Sequence, residues 1–181
     1  MKIETARLQL IPPSLEYQPR ILAAIQESEQ ELTTYLSWVP YALTQAESIA
    51  DTQLAISNFT NATDELRFSI INKQTAELIG AIGLIIRDNS VPFYELGYWI
   101  RTSSAGHGFM TEAVTAIEHY AFSKLNAVRL EIRAAQTNHK SWAIAKRCGY
   151  EFEGTLINER RLPSGELDNT LVYSKTQQPQ R

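Results

Sequence analysis

The stretch Tyr94-Glu95-Leu96-Gly97-Tyr98-Trp99-Ile100-Arg101-Thr102-Ser103-Ser104-Ala105-Gly106-His107-Gly108-Phe109-Met110-Thr111-Glu112-Ala113 reads as a strand, a glycine loop and the start of a helix. Aromatic and aliphatic residues favour an extended segment as far as Ile100, and small residues with two glycines then break it. From Met110 the period changes. Met110, Ala113, Val114, Ile117 and Ala121 fall on one helical face, which predicts a helix from Gly106 to Leu125. The first N–H groups of such a helix lack intrahelical partners, and with the helix dipole they suit a phosphate.

On the N-terminal side, Phe93 to Arg101 is the strand that feeds this loop. Before it, Leu66–Ile71 and Leu78–Ile86 are expected to pair as a hairpin across a turn at 72–77, with Gly80 and Gly83 inside the second strand. Thr44 and Glu47 have capping-box spacing and open a helix that closes by Asn58–Asp64. Helical segments are also expected over Leu15–Gln26 and Glu29–Leu36, and Arg7–Ile11 is a first strand stopped by Pro12-Pro13. On the C-terminal side, Val128–Arg133 alternates as a strand, and Asn138 caps a helix through Arg147 with Gly149 as its stop. Tyr150–Ile157 and Asp168–Tyr173 form a last hairpin around Pro163-Ser164-Gly165, and 176–181 reads as a loose tail. One domain over 1–175 is the simplest reading of a 181-residue chain with no repeat or linker.

The net charge of -3 gives no global attraction to nucleic acid or anionic membrane, so a basic protein partner fits better than DNA. A lone Cys148 excludes an intrachain disulfide, no run is long enough for a membrane span, and a cytoplasmic location is expected. His107, His119 and His139 lack metal-site spacing, so no metal is expected. Neither G-x-G-x-x-G nor a Walker loop occurs.

The order of elements and the loop resemble the GNAT N-acetyltransferase superfamily, and within it the RimJ/RimL-like branch that acetylates protein N-termini. The features that carry this are Glu4-Thr5-Ala6-Arg7-Leu8-Gln9-Leu10, Leu36-Ser37-Trp38, Glu95–Ile100 before Gly106-His107-Gly108, Asn138-His139-Lys140-Ser141, Lys146-Arg147-Cys148-Gly149-Tyr150 and Glu153-Gly154. The resemblance implies an α/β (α+β) fold with a mixed, mostly antiparallel twisted sheet of about seven strands flanked by helices. It implies acetyl-CoA as cosubstrate and direct acetyl transfer to an amine in a ternary complex without a metal. The acceptor it implies is a protein N-terminus, with a ribosomal protein foremost. A small amine, a catalytically silent acyl-CoA-binding module and a homodimer stay open as alternatives.

The same resemblance assigns sites. Gly106, His107, Gly108, Phe109 and Met110 would offer backbone N–H groups to the cofactor's pyrophosphate, although Ser103 stands where the family motif carries Gln or Arg. Arg101 would add a cation. Trp99 and Ile100 would supply the N–H for the developing oxyanion, and Asn138 would meet the pantetheine while also capping its helix. Ser141 would protonate the leaving thiolate, and Trp38 would line the acceptor site. Strand alternation, not the resemblance, offers Glu95, on one face with Gly97 and Trp99 and opposite Tyr94, Leu96, Tyr98 and Ile100. It is either a base acting through a water or a carboxylate paired with an arginine or solvated. Some RimL-like proteins place a glutamate where this chain has Arg160, while Glu159 beside it would point to the other face of a regular strand.

Overall fold

A computed structural model describes residues 2–177. The elements run β1 (Ile3–Glu4), β2 (Leu8–Ile11), α1 (Gln18–Glu27), α2 (Glu29–Thr33), α3 (Gln45–Asn61), β3 (Glu65–Asn72), β4 (Leu78–Asp88), β5 (Phe93–Ile100), α4 (Phe109–Lys124), β6 (Arg129–Ala135), α5 (His139–Arg147), β7 (Glu151–Arg161) and β8 (Leu167–Thr176). Short 3-10 turns occupy Val39–Tyr41 and Thr102–Ser104. One eight-stranded sheet has the order β1-β2-β3-β4-β5-β6-β8-β7 and is antiparallel except at β5–β6. The mixed, mostly antiparallel sheet agrees with expectation. It has eight strands rather than about seven because Ile3 and Glu4 pair with Leu10 and Gln9 as a short edge.

Three boundaries differ for physical reasons. Helix α4 starts at Phe109, not Gly106, because Gly106 and Gly108 take φ of 82° and 76°, values outside the helical region. Helix α1 starts at Gln18, where Pro19 fits the first turn without costing a hydrogen bond. The last strand extends to Thr176, and the Gln177 N–H donates to the Val128 carbonyl at 3.0 Å, so the expected loose tail begins later; residues 178–181 lie outside the described part. The capping box forms as read: Thr44 accepts from the Glu47 N–H, and Glu47 accepts from the Thr44 N–H at 3.1 Å. Such a cap is worth about 1 kcal/mol.

The α4 residues Met110, Ala113, Val114, Ile117 and Ala121 are all buried. They pack in one core with Leu10, Phe68, Ile82, Leu84, Leu96, Leu130 and Ile132 from β2 through β6. Burying each such large side chain contributes roughly 1.5–3 kcal/mol. Helices α1 and α3 cover the other face of β3 and β4. On β6 and β8 the residues that alternate with the core set are Arg129, Glu131, Arg133 and Ala135, and Asp168, Thr170, Val172 and Ser174, so that face is mostly polar.

The parallel pairing of β5 with β6 covers only Phe93↔Arg129, Tyr94↔Leu130 and Glu95↔Glu131. Both strands then continue, β5 to Ile100 and β6 to Ala135, without pairing to each other. A wedge opens in the middle of the sheet.

Candidate active site

The wedge has backbone donors along one edge. The Arg101 N–H donates to Ile79 of β4, so alternation turns the N–H groups of Tyr98 and Ile100 the opposite way, toward the wedge. The Trp99 carbonyl faces β4 instead, so close to Gly80 that a Cβ there would lie 2.3 Å from it.

At the end of β5, the loop points its amides outward. The N–H groups of residues 106 through 111 find no acceptor among the described residues, while the flanking Glu112 N–H bonds to Gly108. Met110 contributes only backbone here, since its side chain is buried in the core. Arg7, from the turn before β2, braces the loop: it donates to the His107 carbonyl at 3.0 Å and to Glu112 at 2.6 Å, and lies 4.6 Å over the Phe109 ring. His107 stacks on that ring at 5.7 Å. Hydrogen bonds from Thr5 and Arg7 hold the Glu112 carboxyl below its ordinary range against the opposing effect of burial.

Arg101 lies elsewhere. Its Nε donates to Glu27 of α1 at 2.6 Å, and Arg101, with Ser103 next in effect, holds the Glu27 carboxyl down at about 2. Thr102 donates through its N–H to Ser28 and through its hydroxyl to Glu31. The turn after β5 is therefore tied to the α1–α2 junction.

Contacts flank the wedge on both sides. On the α4–α5 side, Asn138 caps α5 by accepting from the Ser141 N–H at 3.2 Å. The Ser141 hydroxyl lies 3.3 Å from the Tyr98 hydroxyl, which itself donates to the Ser141 carbonyl at 3.0 Å. Burial pushes the Tyr98 phenol up to about 12, with the Ser141 hydrogen bond opposing. On the opposite side, the Tyr35 hydroxyl donates to the Thr137 carbonyl at 3.0 Å, and exposed Trp38 meets Trp99 at 6.3 Å between centroids. Neither Tyr98 nor Tyr35 is marked as a site residue by the sequence; Tyr98 packs against the core, but its hydroxyl reaches the rim.

Glu95 shares its face of β5 with Trp99 and lies 3.2 Å from Arg87. Burial raises its carboxyl above the ordinary range, against the lowering effect of Arg87 and Arg133. Farther across the sheet, β7 breaks register between Leu156 and Arg160, so that residues 157–159 stand against Asn169 alone, with Asn158 at φ 52°. This bulge corrects the expectation that Glu159 and Arg160 face opposite ways. Thr170 donates its hydroxyl to Glu159 at 2.5 Å and accepts from Arg160 Nε at 2.8 Å. Glu159 also accepts from Arg133 at 2.7 Å.

Burial pushes the half-buried Cys148 thiol up. Among the described residues no group of three or more His, Cys, Asp or Glu could hold a metal ion, and no helix is long and apolar enough to cross a membrane.

Residues 7–151 match the model of the acetyltransferase (GNAT) domain. The chain belongs to the GNAT acetyltransferase family. This GNAT protein is therefore an N-acetyltransferase, and its relatives agree. It is 29% identical over 147 residues to the uncharacterized N-acetyltransferase p20 of Bacillus licheniformis, covering 81% of each chain. It is 28% identical over 99 residues to the ribosomal-protein-serine acetyltransferase of Escherichia coli (strain K12), covering 55% of each. Among solved structures, RimL, the ribosomal L7/L12 alpha-N-protein acetyltransferase in complex with coenzyme A, superposes with a TM-score of 0.90 at 21% identity over 97% of this chain and 98% of that one. The microcin C7 self-immunity acetyltransferase MccE, in complex with acetyl-CoA and AMP, gives 0.87 at 24% identity over 96% and 94%. At these identities the structural matches establish the GNAT fold.

Proposed function

We propose that this enzyme transfers the acetyl group of acetyl-CoA to the N-terminal α-amine of a protein, a ribosomal protein in the first instance, within one domain spanning residues 1–175. The observation that carries the reading is the wedge between β5 and β6, which ends on a loop of unpartnered amides. Those amides, from Gly106, His107, Gly108, Phe109 and Met110, suit a pyrophosphate, and the α4 dipole adds to them. Arg101 has its charge matched by Glu27, so the backbone carries this part of the binding. Acetyl-CoA supplies the activated acyl group. Asn138 keeps its side-chain amide N–H groups for the pantetheine while its oxygen caps α5.

The catalytic roles follow the walls of the wedge. The Ile100 N–H, next to Trp99, donates to the carbonyl oxygen as negative charge develops there. Ser141 donates a proton to the departing thiolate, and Tyr98 fixes the serine's position. Glu95 takes the proton from the amine through a water, and its raised pKa suits a base that must hold a proton briefly. Glu159 is a second candidate base because the bulge turns it onto the same face. Trp38 lines the acceptor side. A cytoplasmic reaction and a homodimer belong to the proposal; the exposed Phe152 and Ile157 on edge strand β7 support the dimer.

Thiol release from acetyl-CoA with peptides bearing N-terminal Ser or Ala tests the reading. Turnover of such peptides is expected. Turnover only on a polyamine or aminoglycoside would reassign the enzyme to small amines, and coenzyme A binding without any acetyl transfer would make it a silent binding module.

A further inference from the structure

The cations other than Arg160 around the polar face of β6, β8 and β7 are ion-paired, Arg129 with both Glu131 and Glu153. Arg133 is paired with Glu159 and Arg87 with Glu95. Asp168 spends its oxygens on the N–H and hydroxyl of Thr137 and on the N–H of Asn169. Arg160 is the exception. Among the described residues no carboxylate oxygen lies within 4 Å of it, and its only hydrogen bond runs from Nε to Thr170, which leaves both terminal nitrogens without acceptors. The half-buried guanidinium thus keeps two terminal nitrogens free to donate to a ligand, with Glu159, Glu95 and Asp168 near it but not in contact as ion pairs. Burial lowers its pKa, with Glu159 and Glu95 opposing.

Its position ties it to the acceptor side. Arg160 pairs across the hairpin with Asp168, and Thr170 pairs with Ala135, the last residue of β6 at the mouth of the wedge. Glu95 faces the same cluster from β5. An acceptor whose amine sits by Glu95 and whose anion meets Arg160 would supply the acceptor oxygens that its two terminal nitrogens lack, and the planar fork of the guanidinium favours a carboxylate.

We infer that Arg160 reads a carboxylate on the acceptor, so that the preferred substrate carries an acidic group close to the reacting amine, as in a peptide whose second residue is aspartate or glutamate. The inference rests on the N-terminal acetyltransferase reading above for its peptide form. The same chemistry could come from a small amino acid, and the test separates the two.

The experiment compares kcat/KM for Ser-Asp and Ser-Asn peptides of otherwise identical sequence, and for free aspartate and asparagine, with wild type, Arg160→Gln and Arg160→Lys. A charged hydrogen bond of this kind predicts roughly a tenfold or greater preference for the acid. Arg160→Gln should collapse that ratio toward one, and Arg160→Lys should keep part of it, with melting temperature and KM for acetyl-CoA as checks on folding. Equal turnover of acid and amide peptides, or a preference that survives Arg160→Gln, would overturn the role of Arg160 and leave the N-terminal reading intact. Preference for aspartate over asparagine with no peptide acetylated would do the reverse. Should no amine be turned over, calorimetry with coenzyme A present decides: equal affinity for acid and amide, or binding of neither, overturns the inference.

Discussion

Ser141 and Tyr98 illustrate how one hydroxyl pair binds two elements into a site. The serine is fixed by its N–H to Asn138, by its carbonyl to the Tyr98 phenol, and by its own hydroxyl at 3.3 Å from the same phenol. Ser141→Ala is expected to lower kcat by about 10²-fold, the lower end of what a positioned proton donor supplies, with little change in KM for acetyl-CoA. Tyr98→Phe should lower kcat less, and the double variant should fall short of the product of the two effects, because both act on one contact. Thiol-release kinetics measure all three. A phenol raised to about 12 stays neutral through the working pH range, so Tyr98 should impose no alkaline limb. Glu95 must be ionised to accept a proton. Its carboxyl lies above the ordinary 4.5, so activity should rise with pH through that higher value, and Glu95→Gln should abolish this limb in a kcat/KM profile.

At the scale of elements, the loop between β5 and α4 is held from two directions, by Arg7 on one side and by the α1–α2 junction on the other. Glu27 gives the second tether a pH signature. Its carboxyl is held at about 2 against an ordinary 4.5, so its contribution is complete above 4.5 and is lost as pH falls toward 2. Glu27→Gln should therefore lower the unfolding free energy at pH 7 by less than about 1 kcal/mol for so exposed a pair, read as a slightly lower melting temperature, and the gap to wild type should close across that acid window. Gly106→Val probes the loop itself. A side chain there meets open space, so its cost is the left-handed backbone, about 1–2 kcal/mol, expressed as a higher KM for acetyl-CoA.

These elements were legible to different degrees. The α4 face, the capping box and the Asn138 cap rest on spacings of three or four residues, which a sequence displays directly. Arg101 reads as a free cation beside the loop because its partner, Glu27, is distant in sequence, and long-range pairing leaves no local mark. The bulge in β7 was hidden for another reason: no Gly or Pro announces it, and Asn158 supplies the positive φ. Its consequence, the shared face of Glu159 and Arg160, was therefore unreadable from alternation alone.

For the molecule as a whole, the wedge is tolerable because the core beneath it is continuous from β2 to β6. Phe68 is fully buried between the Phe59 and Tyr120 rings, at 5.1 and 5.8 Å. Phe68→Ala should destabilise the fold by about 3–5 kcal/mol, read as a lower urea midpoint in one cooperative transition; separate transitions for β1–β5 and β6–β8 would contradict the continuous core. The large core lies on the α4 side of the sheet and smaller apolar clusters lie under α1, so the polar face of β6 to β8 is left to vary. The bulge of β7 gives that freedom a genetic form. Losing the two codons for Ile157 and Asn158 would restore the ladder in frame and set Glu159 opposite Asn169, rotating it to the far face while Arg160 stays. A six-nucleotide deletion could exchange the chemistry presented to the acceptor without altering a single core residue.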